Sequence, residues 1–272
     1  MRTYFPRGAG RGEDMNDPGG RAREGVVTRE IVAKSVLSPS RVYDYVVNPY
    51  RGCQFACAYC YARFMRRFTG HREAWGAFVD VKVNAAQLLR GELARKRRGE
   101  VWVSGVCDPY QPLEETYGVT RACLEALLGQ GWPVRVQTKS DLVLRDLDLL
   151  RGGADVEVGL SLSTADETIR RIFEPRAPAT AVRIEALGRL RAGGVGTYAM
   201  IAPLLPGAEG LVPLLAGKVD YIYVDRMNYH YARPLYGRHG LEGFLNDAYF
   251  RDLKALLTRQ AREAAIPCRV LF

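Results

Sequence analysis

A chain of 272 residues with 47% hydrophobic and 25% charged residues has the composition of a globular protein, which excludes disorder along its whole length. It contains no run of about 18 apolar residues and no apolar N-terminal stretch, so we expect a cytoplasmic protein whose clustered cysteines are metal ligands rather than disulfides. The formal net charge of +9 indicates an anionic partner only where that charge is concentrated.

The chain reads as an arm followed by one domain. Residues 1–40 are rich in Gly, Arg and Asp without a clear period, which predicts a flexible N-terminal arm before a domain at residues 41–272. Apolar, β-branched runs predict six strands, at residues 43–47, 101–106, 134–138, 156–161, 197–202 and 221–224. Helical spacing predicts six helices, at residues 84–98 with Asn84 as N-cap, 119–128 closed by Gly129, 141–150, 165–173, 180–192 and 248–264. This alternation favours parallel βαβ units, in an open doubly wound sheet or a partial barrel.

Three cysteines follow the first predicted strand within eight residues: Cys53, Cys57 and Cys60. Iron–sulfur clusters are held by cysteine thiolates and normally take four, so three without a nearby fourth leave one iron open for a substrate or cofactor. A structural zinc ion is the alternative, but it needs a fourth ligand and usually a second cysteine pair. His71 is the nearest candidate, and a lone histidine in a basic stretch is more often a solvated surface residue. We therefore predict an iron–sulfur cluster.

The positive charge is concentrated directly after these cysteines. Residues 61–98 carry ten Lys or Arg against three acidic residues, and we expect the segment near the mouth of the site, where it would neutralise phosphates. Aromatic residues that could stack on bases accompany it, namely Phe64, Phe68, Trp75 and the Tyr-His-Tyr run at 229–231. The segment therefore predicts a nucleic acid, most simply DNA, as partner. An ordinary solvated helix face is the alternative.

The cysteine spacing C-x3-C-x2-C, with Tyr59 before the last cysteine, resembles the radical S-adenosylmethionine (radical SAM) superfamily. The flanking sequences NPYRGC and CAYCYAR are similar to the branch related to spore photoproduct lyase, as are residues 103–114, 138–140, 174–178 and 201–207. This resemblance implies a partial (β/α)6 TIM-type barrel with a [4Fe-4S] cluster at the carboxyl ends of the strands. It also implies that S-adenosylmethionine binds the open iron and is cleaved reductively to a 5′-deoxyadenosyl radical. An external electron donor such as flavodoxin or ferredoxin would be required, and a monomer is expected.

The same resemblance assigns cofactor contacts to matching positions. Lys139 would bind the carboxylate of S-adenosylmethionine and Ser161 its ribose, since an ammonium and a hydroxyl suit those groups. Tyr59 would lie beside the adenine. Three further residues occupy equivalent strand-end positions, and they are Ser104, Asp108 and Ser163. The alternative is that Lys139 is a surface lysine, that Ser161 is a turn serine, and that neither binds a ligand.

Two residues match catalytic positions of the lyase branch. Cys107 lies near its hydrogen-donating cysteine, which the lyase places a couple of positions earlier, and Tyr61 matches a tyrosine of radical transfer. The alternatives are that Cys107 is an inert buried cysteine and that Tyr61 is an ordinary packed aromatic ring. Glu174 and Arg183 match the branch without an assignable role.

The predicted function is lyase-like repair or modification of a nucleic acid by a radical SAM enzyme. A radical enzyme acting on a peptide or a small metabolite is an alternative, although the sequence lacks the cysteine-rich C-terminal extension of many peptide-modifying members. A non-catalytic iron–sulfur or zinc module that binds nucleic acid is the other alternative.

Overall fold

The computed structural model describes residues 25–228 and 230–272. The described residues form eleven strands, which are β1 (Val27–Ile31), β2 (Leu37–Pro39), β3 (Tyr45–Val47), β4 (Tyr50–Arg51), β5 (Phe78–Lys82), β6 (Val101–Val103), β7 (Val134–Thr138), β8 (Val156–Leu162), β9 (Gly196–Ile201), β10 (Tyr221–Val224) and β11 (Cys268–Val270). Residues 1–24 lie outside the description, so the predicted arm stays a prediction there. Strands β1 and β2 both pair with other strands, so the domain begins before the predicted boundary at residue 41.

Nine α-helices lie in the same described ranges: α1 (Ala85–Leu93), α2 (Leu113–Tyr117), α3 (Val119–Gly129), α4 (Leu147–Leu150), α5 (Glu167–Phe173), α6 (Thr180–Ala192), α7 (Leu211–Leu215), α8 (Arg233–Arg238) and α9 (Asp247–Glu263). Short 3-10 helices span Tyr61–Phe68, Asp141–Asp146, Ala208–Gly210 and Glu242–Phe244. Asn84 does precede α1, but its side chain bonds the backbone of Ala33 instead of capping the helix.

The main sheet has eight strands in the order β11-β10-β9-β8-β7-β6-β3-β2. All neighbours are parallel except β2 and β3. The six predicted strands are confirmed as β3 and β6 to β10, joined in sequence by crossovers that carry helices. This mixed α/β fold with its parallel sheet is a partial TIM-type barrel, in which functional groups gather where the strands end.

Alternation along the strands separates the two faces of the sheet. Val101 and Val103 of β6 are completely buried toward the helices, whereas Trp102 between them lines the inner cavity. Such β-branched strands bury one face under the helix layer and leave the other for a site.

A second, three-stranded sheet lies beside the barrel in the order β1-β5-β4. Strand β4 ends two residues before Cys53, and its Arg51 lies opposite Asp80 of β5. This small sheet therefore fixes the start of the cysteine loop. Its strands escape sequence prediction because they are short and mix charged with apolar residues.

Candidate cluster and cofactor site

A cavity opens at the carboxyl ends of the parallel strands, with an empty volume of about 970 Å³ counted to its mouth. Cys53, Cys57 and Cys60 all line this cavity, and none forms a disulfide. The structure thus brings the three predicted ligands to the expected end of the barrel.

The cysteine loop approaches the small sheet very closely at Gly52. Its φ is +90°, and a Cβ there would lie 2.3 Å from the carbonyl oxygen of Phe78. A glycine is therefore required at this position.

Two glutamines attach the loop to the segment after β6. The backbone N–H of Gln54 donates to Gln111 Oε1 at 2.9 Å, and the backbone N–H of Leu113 donates to Gln54 Oε1 at 2.7 Å. Tyr50 also donates its hydroxyl to the buried Glu114. These bonds join the cysteine loop to residues 103–114, which resemble the same branch of enzymes in sequence.

The three thiols are buried in a setting that disfavours a free thiolate. Burial raises the pKa of Cys53 well above its usual range, raises that of Cys57 to about 12, and raises that of Cys60. A coordinated metal deprotonates a thiol outright, so these sulfurs suit a bound metal group. No three His, Cys, Asp or Glu side chains in the described part of the chain lie close enough for a single ion. The arrangement fits a larger cluster, whose thiolates bind different irons, better than one zinc ion.

Trp75 forms the cavity wall beside Cys60. Its indole nitrogen is buried and meets no partner with hydrogen-bond geometry, yet it is close enough to Cys60 for its N–H to favour the thiolate. A buried donor directed at a sulfur is a second feature that fits an iron–sulfur cluster.

His71 does not lie on a solvated surface, and that expectation is wrong. Its side chain is fully buried, with its ring nitrogens 2.9 Å from Glu73 and 2.9 Å from Asp80. The ring stacks on Phe78 at 4.2 Å. His71 thus connects the segment that carries Trp75 to the small sheet.

Cys107 lines the cavity in a defined hydrogen-bond chain. Asn48 Oδ1 accepts the backbone N–H groups of Gly105 and Val106 at 2.9 and 3.0 Å, and the Ser104 hydroxyl at 2.8 Å. Because the only hydroxyl hydrogen of Ser104 is used in that bond, its oxygen accepts from the Cys107 thiol, 2.9 Å away. Burial raises the pKa of Cys107 to about 11, so the thiol keeps its hydrogen at neutral pH.

Tyr61 also lines the cavity and donates its hydroxyl to the carbonyl of Gly105. Gly105 lies within the turn that carries Ser104 and Cys107. Tyr61 and Cys107, the two residues predicted to be catalytic, are therefore linked through this turn.

Asp108 and Lys139 lie at the ends of neighbouring strands β6 and β7. The Asp108 carboxylate accepts from the backbone N–H groups of Tyr110 and Lys139 and from the hydroxyl of Thr138, at 3.0, 2.7 and 2.5 Å. Although burial opposes the charge of Lys139, Cys57 and Glu174 outweigh it and raise the lysine pKa. Lys139 therefore stays cationic, with Nζ 5.7 Å from the centre of the Tyr59 ring.

Tyr59 is held from behind by a buried ionic group. Its hydroxyl donates to Glu174, which also accepts from Ser163 at 2.9 Å. The Arg183 guanidinium lies 2.6 Å from the same carboxylate, and both charged side chains are essentially unexposed. Glu174 and Arg183, for which the sequence suggested no role, thus anchor the aromatic residue between two cysteines.

The cavity brings together most of the predicted site residues. Ser161 lines it and accepts a hydrogen bond from Gln137 at 3.2 Å, whereas Ser163 is not among the lining residues and belongs to the group behind Tyr59. Sequence reasoning missed several wall residues, which are Trp102, Gln137, Met200, Arg226 and Asn228. Alternation along β6, β7 and β9 could have identified the first three. Arg226 and Asn228 follow β10 without any motif.

The basic segment is divided between two ends of the barrel. The helix Tyr61–Phe68 starts at the cavity wall, and the chain returns to that wall at Trp75, so the exposed Arg66, Arg67 and Arg72 lie on a segment whose two ends line the cavity. Residues 95–98 instead precede β6, at the amino ends of the strands. The expectation that the whole segment lies at the mouth is therefore wrong for its second part.

The predicted stacking residues Phe64 and Phe68 both lie on the helix Tyr61–Phe68. Phe68 is 62% exposed and lies edge-on to Phe64. Arg63 lies over the ring of Tyr231 at 4.8 Å, while Tyr229 is outside the described residues.

Among the described helices, none is long and apolar enough to cross a membrane.

Comparison with known proteins gives a family match over residues 47–208, to the model described as the radical SAM superfamily. An uncharacterized protein of Methanocaldococcus jannaschii is 33% identical over 225 residues, covering 81% of this chain and 84% of its own. An uncharacterized protein of Mycobacterium bovis is 34% identical over 195 residues, and the match spans 67% of this chain and 57% of that protein.

A solved structure shares the fold. Spore photoproduct lyase complexed with dinucleoside spore photoproduct superposes with a TM-score of 0.68, covering 90% of this chain and 82% of the lyase at 14% identity.

Proposed function

This chain belongs to the radical SAM superfamily, and from that premise we propose that its substrate is a nucleic acid, on which it performs lyase-like repair or modification. Members of the family are enzymes that bind a [4Fe-4S] cluster and S-adenosylmethionine. When bound, the reduced cluster supplies the electron that cleaves S-adenosylmethionine, and the resulting 5′-deoxyadenosyl radical removes hydrogen from a substrate.

The chain's own residues would hold these groups along one wall. Cys53, Cys57 and Cys60 provide the thiolates for three irons. Lys139, cationic and adjacent to Tyr59, is placed to bind the cofactor carboxylate, and Ser161 at the end of β8 is placed to bind ribose hydroxyls.

Cys107 is proposed as the donor of a hydrogen atom to the substrate radical. Its thiol lines the cavity and stays protonated, with Ser104 orienting the S–H bond. In this step the S–H bond breaks and a substrate C–H bond forms, which leaves the unpaired electron on sulfur. The Tyr61 hydroxyl, bonded to the same turn, would then give a hydrogen atom to that sulfur. Its O–H bond would break, the S–H bond would form again, and the unpaired electron would pass to the Tyr61 phenoxyl oxygen.

The observation that carries the nucleic-acid proposal is the exposed positive charge on the segment whose two ends line the cavity. Arg66, Arg67 and Arg72 are exposed between two positions that line the cavity, and Phe68 projects among them. Arginines neutralise phosphates and exposed aromatic rings stack on bases. A substrate complex of spore photoproduct lyase, which has the same fold, contains a dinucleoside.

The test measures cofactor cleavage with different substrates. Anaerobically reconstituted protein is supplied with dithionite and S-adenosylmethionine, together with ultraviolet-irradiated DNA, undamaged DNA, RNA or no addition. We expect 5′-deoxyadenosine formation to rise with a nucleic acid and that nucleic acid to be changed chemically. In the cell, a flavodoxin or ferredoxin would donate the electron that dithionite supplies in this assay.

The Cys107→Ala variant tests the donor role in the same assay. It should still form 5′-deoxyadenosine but yield less correctly quenched product, because the substrate radical finds no S–H. If no nucleic acid alters turnover or binds in a salt-dependent way, the nucleic-acid proposal fails and a peptide or small metabolite becomes the substrate class to test.

A further inference from the structure

The indole nitrogen of Trp75 is buried without a hydrogen-bond partner in a cavity that holds the three cysteines. An unpaired buried donor is destabilising, so native proteins usually provide a partner or a reason for it. The sulfur of Cys60 is its neighbour. The direction of this N–H therefore requires an explanation.

The orientation of Trp75 is fixed by protein contacts alone. Its ring lies edge-on to Phe78 at 5.9 Å, and Phe78 is stacked on the buried His71. The next residue, Gly76, has a φ of +101°, and a Cβ there would lie 2.4 Å from that of Ala56 in the cysteine loop. Arg176 donates to the Gly76 carbonyl at 2.7 Å. The segment is thus pressed against the cysteine loop with the indole facing the sulfurs.

Hydrogen bonds to the sulfurs of an iron–sulfur cluster help to set its reduction potential. Reduction adds negative charge, and a donor interacts more strongly with the more negative acceptor. A donor at the sulfurs therefore raises the potential and makes the cluster easier to reduce.

We propose that Trp75 donates its indole N–H to the sulfurs at the Cys60 side of the cluster and thereby raises the reduction potential. The inference depends on the cluster that the family binds and is independent of the substrate. Three other groups act on the same thiolate, since the Ala62 backbone N–H and the charges of Lys139 and Arg63 also favour its anionic form.

The reduction potential of Trp75→Phe tests the proposal without any substrate. Reconstituted protein is titrated anaerobically, and the reduced cluster is followed by electron paramagnetic resonance. We expect the reduction equilibrium to become about tenfold less favourable, which corresponds to a midpoint about 59 mV more negative for one electron. Trp132→Phe is the matched control, because Trp132 is a buried tryptophan that packs on Tyr45. An unchanged midpoint in Trp75→Phe would overturn the proposal.

A spectroscopic measurement covers the case in which Trp75→Phe does not assemble a cluster. With ¹⁵N-labelled indole groups, pulsed resonance spectra of the reduced protein should show a nitrogen coupling to the cluster. Trp102→Phe, which removes the other indole lining the cavity, should keep that coupling. Absence of the coupling from the unsubstituted protein, or its loss in Trp102→Phe, would contradict the assignment to Trp75.

Discussion

The backbone N–H of Lys139 donates a hydrogen bond to Asp108 Oδ2 at 2.7 Å. Asp108 follows β6 and Lys139 follows β7, so this bond joins the ends of two neighbouring strands. The sequence suggested Asp108 as a cofactor contact. In the structure its carboxylate positions Lys139, the residue proposed to bind the carboxylate of S-adenosylmethionine.

Replacement of Asp108 by asparagine should weaken binding of S-adenosylmethionine by about tenfold, equivalent to about 1.4 kcal/mol. An amide has one acceptor oxygen, so its NH₂ group would oppose one of the donors that Asp108 now accepts. Isothermal titration of anaerobically reconstituted protein measures the change. Asp166→Asn is the control, since Asp166 accepts two backbone N–H groups at the start of α5. Equal affinity in the Asp108→Asn and unsubstituted proteins would refute the positioning role.

Glu174→Gln should lower the free energy of unfolding by about 3–5 kcal/mol, because it leaves Arg183 buried without a counter-charge. The double variant Glu174→Gln, Arg183→Met should recover part of that loss, since no unpaired charge remains. Anaerobic urea denaturation of the holoprotein, combined as a double-mutant cycle, measures the coupling. Additive effects of the two single substitutions would contradict the ion pair's role behind Tyr59.

Gly76→Ala should reduce the cluster content, because the added Cβ would collide with Ala56 in the cysteine loop. Gly70→Ala is the matched control, since Gly70 also has a positive φ of +70° but open space around the new Cβ. The control should cost only the backbone penalty, about 1–2 kcal/mol. Iron and sulfide analysis after equal reconstitution compares the two variants. Equal iron content in both would show that the close approach is unimportant.

The divided basic segment allows a charge-matched test. Replacement of Arg66, Arg67 and Arg72 by glutamine should weaken nucleic-acid binding and reduce its dependence on salt. Each lost contact with a duplex phosphate removes about 0.9 from the slope of log K against log salt. The same substitutions at Arg95, Arg97 and Arg98, at the other end of the barrel, remove equal charge and should leave the slope unchanged. Equal losses for both triple variants would indicate a non-specific charge effect.

Much of the architecture follows from sequence because its signals are local. The strands β7 and β10 begin and end where β-branched runs predict, and α6 spans the predicted residues 180–192. The cysteine spacing likewise predicts the cluster ligands within eight residues. Such features depend on neighbours in the chain, which a single sequence displays.

The remaining features depend on distant partners. His71 looks like a surface residue in a basic stretch, and only its pairing with Asp80 of β5 buries it. Ser163 and Ser161 occupy alternate positions, yet one lies behind Tyr59 and the other lines the cavity. The basic segment appears continuous until helix α1 carries its second part to the opposite end of the barrel. Single-sequence patterns contain none of these spatial relationships.

The most direct test of the account is the response of the reduced protein to S-adenosylmethionine. We predict that anaerobically reconstituted protein contains a [4Fe-4S] cluster, that its resonance spectrum changes when S-adenosylmethionine is added, and that 5′-deoxyadenosine is released. Cys57→Ala should abolish all three results. Bound zinc in place of iron, or a cluster whose spectrum ignores S-adenosylmethionine because a fourth side chain occupies it, would contradict the account.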